Sequence, residues 1–356
     1  MKLWVDVKAY RRKFLRPLNT AHGPWHWREG ILVKMQDWDG NRGYGEVAPL
    51  PWFGTESIKG AQQFWLDKTG WIDSEELLKL PAHLPATRFA AETALAQLDP
   101  HWDWETGFST LSIDQSDICG LLPAGERALG VFPEIKGRGY QTSKWKIGVF
   151  PIEQELAWFK ALVNLGDGRC QYRLDANGGL SRQAAEIWLN TCDSLATTNH
   201  SQSPSTETIA QASFPHQAPP KPVEFLEQPL PAQQVDVMEQ LCNQYQTPIA
   251  LDESVVIMEP MQNKRLQRWP GLLVVKPAIA GSPLRLQQCL SPFGPRIVFS
   301  SVFETIVGRQ AALQTALGYY RRTATGERFP ALGFDTLGYF DDDWDHLSPE
   351  QLWETI

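Results

Sequence analysis

One rhythm limits the folds open to this chain more than any other feature of it. From about residue 117 onward, short apolar runs rich in β-formers recur, each followed by a helix-like segment: residues 118–122, 144–149, 172–176, 223–226, 249–251, 272–275, 296–299 and 332–334. Strands that alternate with helices pair in parallel, and each helical return crosses the sheet with right-handed sense. Eight such runs predict a β/α barrel. An open, doubly wound sheet has the same alternation, but no Gly-rich phosphate loop follows any run. The polar residues that end the runs keep the same time. Lys146 to Asp175 is 29 positions, Glu227 to Asp252 is 25, and Asp252 to Lys276 and Lys276 to Ser300 are 24 each. The interval from Asp175 to Glu227 is 52, and it contains residues 196–220, rich in Ser, Thr, Gln, Asn and Pro. Without those 25 residues it is 27. They read as a flexible surface insertion beside the third barrel helix, with an active-site lid as the alternative.

The first hundred residues follow a different pattern. Leu3, Val5 and Val7 alternate with Trp4, Asp6 and Lys8, which predicts a strand from the start. Residues 31–35 lead through Asp39-Gly40 to residues 43–47, a hairpin signal. Helical spacing over 87–98 predicts a helix with Thr87 as its N-cap. The expected architecture is therefore α/β. An N-terminal α+β domain spans 1–105, a barrel spans 106–336, and a tail, 337–356, packs back on the first domain.

Composition closes off several functions. A formal net charge of −8 with no basic run disfavours nucleic acid and anionic membranes. The opening residues lack a secretory signal, and no apolar run approaches a membrane span. Five scattered cysteines without a Cys-x-x-Cys pair suit reduced thiols in a cytoplasm.

The run ends carry the chemistry. Residues two apart in a strand share a face, so Lys144 and Lys146 point one way while Trp145 points to the helices. Arg173, Asp175 and Asn177 likewise form a polar trio. Glu227, Asp252-Glu253 and Lys276 end the runs that follow. A single strand-end Asp is commonly a helix cap, and a single Lys is commonly solvated; acids and lysines at successive ends are hard to obtain that way. Asp175, Glu227 and Asp252 brought together would repel strongly away from water. A divalent cation relieves that repulsion, and all-oxygen ligation with room for water suits Mg2+. A cation there can hold a substrate carboxylate and stabilise an enediolate formed by loss of the α-proton. Nearby positive charge lowers a lysine from about 10.4 toward neutrality, where it serves as base or acid.

The order Lys-x-Lys, Asp-x-Asn, Glu-Gln-Pro, Asp-Glu-Ser, Lys-Pro resembles the muconate-lactonising subgroup of the enolase superfamily. The resemblance covers nearly the whole chain and implies an enolase-type (β/α)7β TIM-like barrel with an N-terminal α+β capping domain. Gly45-Glu46 to Pro51 and Phe53 to Ser57 are similar to that capping domain. Within the subgroup, Arg173-Leu-Asp175-Ala-Asn177, Phe299-Ser300-Ser301-Val-Phe-Glu304-Thr and Leu332-Gly-Phe-Asp335-Thr336 resemble the o-succinylbenzoate synthase family. That family dehydrates 2-succinyl-6-hydroxy-2,4-cyclohexadiene-1-carboxylate to o-succinylbenzoate, a step toward menaquinone or phylloquinone. The resemblance implies that Lys146 removes the α-proton and then assists departure of the hydroxyl. It implies that Lys276 stabilises the enediolate, and that Asp175, Glu227 and Asp252 bind Mg2+, with Mn2+ as a substitute. Lys144, Arg173, Asn177 and Glu253 are then orienting groups, and Ser300 and Ser301 contact the succinyl side chain. Two features depart from the family pattern: the 196–220 insertion, and Phe334 where a leucine is expected.

Other reactions use the same groups. Racemisation of N-acylamino acids and epimerisation of dipeptides need the same lysines and metal. Dipeptide epimerases are expected to carry Asp-x-Asp at the last strand, where this chain has a single Asp335. A non-catalytic binding relative is the alternative of another class, expected to have lost one of these groups. The partner expected is a small-molecule carboxylate; oligomeric state is open.

Overall fold

A computed structural model describes residues 1–20, 22–98, 113–198, 221–257, 264–323 and 329–356. The chain divides into two compact units. The first comprises Met1–Ser112, Val255–Gln267 and Val274–Ile356; the second comprises Ile113–Ser254 and Arg268–Leu273.

The first unit is built on an antiparallel sheet of β1 (Lys2–Thr20), β2 (Gly23–Gln36), β3 (Arg42–Val47) and β4 (Gly70–Asp73), in the order β3-β2-β1-β4. β1 is far longer than its first alternating residues suggest. It pairs with β2 from Trp4↔Gln36 to Thr20↔Gly23, with a register shift between Lys13 and Leu18. The β2–β3 turn is held by Asp37, whose carboxylate accepts from the backbone N–H groups of Asp39 and Asn41, both at 2.9 Å. After α1 (Ile58–Leu66) and α2 (Ser74–Leu78), α3 (Pro85–Ala96) lies against β3. The approach is so close that a Cβ on Gly45 would run into the Ala90 carbonyl.

The expected cap of α3 is corrected by the structure. Thr87 lies inside the first turn and is fully buried. The buried Glu56 carboxylate does the capping from a distance, accepting from Ala86 N (3.2 Å) and Thr87 N (2.6 Å). A carboxylate from another segment supplies what a local Thr would have supplied, with a full negative charge at the positive helix end.

The C-terminal segment joins the same sheet. Leu15 N donates to Tyr339 O and Asp341 N to Lys13 O, each at 2.9 Å. Arg12, fully buried, is held by Asp342 at 2.6 Å and Asp345 at 3.0 Å.

The second unit alternates strand and helix. β5 (Cys119–Leu122), α4 (Arg127–Gly137), β6 (Thr142–Lys146), α5 (Ile152–Gly166), β7 (Gln171–Asp175), α6 (Arg182–Thr198), β8 (Val223–Glu227), α7 (Val235–Gln244) and β9 (Ile249–Leu251) follow in turn. Along the chain follow α8 (Glu253–Ile257) and β10 (Leu272–Val275), each divided between the two units, and between them α9 (Lys264–Gln267), which belongs to the first unit. The strands pair in parallel in the order β10-β9-β8-β7-β6-β5. Trp145 points away from the polar face and is fully buried, with Phe159 of α5 at 6.1 Å and Trp188 of α6 at 6.3 Å between ring centroids.

In the first unit the end of β10 adjoins β11 (Ile297–Phe299), which α10 (Pro283–Leu290) precedes and α11 (Ile306–Thr323) follows. The final helix is α12 (Pro349–Thr355). The last expected run, 332–334, forms a single parallel bridge, Ser300↔Gly333, rather than a full strand. Of the expected insertion, residues 196–198 belong to α6, and 199–220 lie outside the described residues. Among the described residues no helix is long and apolar enough to cross a membrane.

Candidate active site

The register of the parallel strands assembles the polar face. Lys146 pairs with Asp175, Asp175 with Glu227, and Glu227 with Ala250. Asp252 stands two residues past Ala250, on the same side. Asp175, Glu227 and Asp252 therefore end three adjacent strands, and all three are buried, at 6%, 1% and 5% exposure. One layer below, Lys144 pairs with Arg173.

The Lys144 ammonium reaches up from that layer to Asp175 Oδ2 at 2.7 Å and Glu227 Oε1 at 2.8 Å. Burial opposes its charge, but Asp175, Glu227 and Asp252 outweigh the burial and hold it well above the usual lysine value. Burial likewise opposes ionisation of Asp175, and the Lys144 charge and hydrogen bond overcome it, so this carboxyl lies below its usual range. Lys146 behaves differently. Burial lowers it, Asp175 resists, and repulsion from Lys144 adds to the lowering. Two lysines two positions apart are thus pushed in opposite directions, and Lys146 is the one made easier to deprotonate.

Arg173 is fixed by Glu224, with Nε–Oε2 at 2.7 Å and Nη2–Oε1 at 3.2 Å, and it lies 4.9 Å from the centre of the Phe225 ring. Strict alternation would turn Glu224 away from that face. A register shift makes Tyr172 pair with Val223 but Arg173 with Phe225, which leaves Glu224 as the extra residue and lets it meet Arg173. No period-two reading of the sequence finds it. Asn177 takes a positive φ of 45°, donates its N–H to Asp175 Oδ1 at 3.0 Å and its amide to Glu253 Oε1 at 3.4 Å.

The remaining expected residues lie in the first unit. Lys276, half-buried at the end of β10, has its Nζ 4.5 Å from the centre of the Phe53 ring. Ser300 is half-buried and its N–H donates to Val275 O. The Ser301 hydroxyl donates to Glu304 at 2.9 Å, accepts from Phe303 N at 3.0 Å and lies 3.2 Å from Thr336 Oγ1. Those contacts tie it into its own loop.

A hard divalent cation suits the donor chemistry of Asp175, Glu227 and Asp252: three buried carboxylates, all oxygen, on adjacent strand ends. Among the described residues no three acidic, histidine or cysteine side chains converge tightly enough to ligate one ion as they stand. The Lys144 ammonium bridges two of the three, Asp175 and Glu227.

Comparison with known proteins decides the family. Residues 21–98 match the model "MenC, N-terminal domain". The o-succinylbenzoate synthase of Thermosynechococcus vestitus is 33% identical over 309 residues, 85% of each chain. The chain belongs to the o-succinylbenzoate synthase family. The Aliivibrio fischeri synthase is 24% identical, over 88% of this chain and 84% of its own. A solved o-succinylbenzoate synthase from Thermosynechococcus elongatus, complexed with Mg in the active site, superposes with a TM-score of 0.76 at 28% identity, covering 99% of this chain and 100% of its own. The L-Ala-D/L-Glu epimerase from Bacillus subtilis shares the fold, with a TM-score of 0.68 at 18% identity over 96% of this chain and 92% of its own. The fold is thus the enolase-type β/α barrel with an N-terminal α+β domain. Family membership makes the chain an enzyme of the hydro-lyase class.

Proposed function

We propose that this chain dehydrates 2-succinyl-6-hydroxy-2,4-cyclohexadiene-1-carboxylate to o-succinylbenzoate, on the way to menaquinone or phylloquinone. The observation that supports the reaction class is Lys146, half-buried and shifted toward its neutral form, in register with the buried Asp175. The relation to the synthases supports the choice of substrate.

In this reading Lys146 Nζ takes the proton from the carbon bearing the carboxylate. The same ammonium then gives a proton to the departing hydroxyl, which leaves as water while the ring becomes aromatic. Asp175, Glu227 and Asp252 would hold Mg2+, or Mn2+ in its place, and the cation when bound would supply Lewis-acidic positive charge at the substrate carboxylate. Lys144 keeps its own charge against Asp175 and Glu227 and orients them. Asn177 and Glu253 brace the strand ends, and Glu224 holds Arg173 in place. For Lys276 the role of stabilising cation rests on the sequence pattern alone, as do substrate contacts by Ser300 and Ser301. The five cysteines are free thiols, which suits a cytoplasmic enzyme.

A Mg2+-dependent assay following the ultraviolet absorbance of o-succinylbenzoate tests this directly. Aromatisation that stops with EDTA and in Lys146→Arg is the expected result. Racemisation of N-acylamino acids or dipeptides with kcat/KM well above that for aromatisation would overturn the substrate assignment.

A further inference from the structure

Gln228 plays no part in the chemistry above, although it follows Glu227 directly. We propose that it is a positioning residue: its buried amide sets the exit of β9, and with it the Asp252 and Glu253 carboxylates, relative to Glu227. The proposal rests on the functional reading just given, which makes those carboxylates the working groups.

Gln228 is fully buried and takes a φ of 35°, in the left-handed region that residues with a Cβ seldom adopt. Its amide is satisfied on both sides. Nε2 donates to Leu230 O and to Ser254 Oγ, each at 2.8 Å. Oε1 accepts from Asp252 N at 3.0 Å and Ser254 N at 3.2 Å. Its backbone extends the tie. Gln228 N donates to Ala250 O at 2.8 Å, and Gly178 N donates to Gln228 O at 2.7 Å. One residue therefore joins the exits of β7, β8 and β9.

The need for such a tie follows from the length of β9. That strand has three residues, Ile249–Leu251, and pairs with β8 through only two positions, Leu226↔Ile249 and Glu227↔Ala250. The ladder stops two residues short of Asp252. Beyond it, the Gln228 carbonyl oxygen of the side chain holds the Asp252 N–H and fixes where the carboxylate emerges. Asn177 meets Glu253 from the other side. The orientation of the amide is determined as well, because two donors face two acceptors. A carboxylate of the same shape would keep the acceptor but set a negative oxygen against the Leu230 carbonyl.

The test is divalent-cation binding, which does not depend on turnover. Mg2+ binding by calorimetry, and Mn2+ binding by electron paramagnetic resonance, are compared for wild type, Gln228→Glu and Ser254→Ala. Gln228→Glu should weaken binding by about tenfold or more and raise the Mg2+ concentration for half-maximal rate. Its kcat at saturating Mg2+ should stay within a few-fold of wild type. Ser254→Ala, which removes one partner of the amide, should shift binding the same way but less. If Gln228→Glu fails to fold, Ser254→Ala carries the test alone. Wild-type Mg2+ affinity in folded Gln228→Glu, or in Ser254→Ala when it stands alone, with only the melting temperature lowered, would overturn the proposal and leave Gln228 a plain structural residue. A wild type that binds Mg2+ but does not aromatise the substrate would overturn the proposed function alone.

Discussion

Glu46 in the antiparallel sheet and Asp175 in the parallel one are both withdrawn from water, at 0% and 6% exposure, yet they are held in opposite ways. Glu46 sits at the N-terminus of α11. It accepts from Thr305 N at 3.0 Å, Gly308 N at 2.9 Å, Tyr10 Oη at 2.5 Å and the Thr305 hydroxyl. A Cβ on Gly308 would lie 2.9 Å from its Oε2. Backbone dipoles and hydroxyls neutralise this carboxylate, and none of them can leave. The Asp175 carboxylate accepts from one backbone N–H, that of Asn177, and meets the side-chain ammonium of Lys144. A carboxylate saturated by the backbone is structural. One balanced by a side-chain cation keeps acceptor capacity for a second cation beside it, and so is suited to work.

The largest effect that would break this comparison concerns activity. Asp175→Ala, Glu227→Ala and Lys146→Arg should each reduce kcat by about 10^3-fold or more, with circular dichroism unchanged. In steady-state assays two of the three retaining wild-type turnover would end the distinction. Glu46→Ala should do the reverse. Removing the acceptor leaves buried donors unsatisfied, so unfolding in urea should show a loss of about 3 kcal/mol, while the Mg2+ affinity of the folded protein stays as in wild type. A Glu46→Ala variant that kept its stability and lost metal binding would place Glu46 on the working side.

Mg2+ should give a smaller shift. On the proposed function, binding at a hundredfold excess over Kd should add about 2.7 kcal/mol to folding, read as a higher melting temperature that EDTA reverses. Asp252→Ala should remove the response and Glu46→Ala should keep it.

The smallest effect is a pH dependence. Glu304 lies close to Glu46, and burial, reinforced by that charge and resisted by hydrogen bonds from the backbone and Ser301, pushes its carboxyl above the usual range. A folded value above the unfolded one, about 4.3, means that the folded state binds the proton more tightly. The stability this contributes is complete below the unfolded value and is lost as pH rises through the folded one. Glu304→Gln cannot titrate, so its urea midpoint should vary less with pH than that of wild type across this window.

The beat of strand ends made the barrel legible, and within it the register that aligns Lys146, Asp175 and Glu227. β9 and β10 coincide with their expected runs because short, wholly buried strands read as continuous apolar segments. The capping of α3 was not legible, because its acceptor, Glu56, lies 31 positions from Thr87. Neither was the length of β1, whose outer half alternates poorly and is held by pairing with β2.

By itself, then, the sequence determined which residues end the strands and which share a face, since both follow from local period and spacing. Tertiary structure decided what each of them meets. It set Lys144 rather than Lys146 between the carboxylates, turned Glu224 toward Arg173 through a bulge, and gave the Gln228 amide its five contacts. Those outcomes depend on register shifts and on atoms brought together from distant segments. No local pattern encodes them, because a side chain's charge state and hydrogen bonds are set by its neighbours in space.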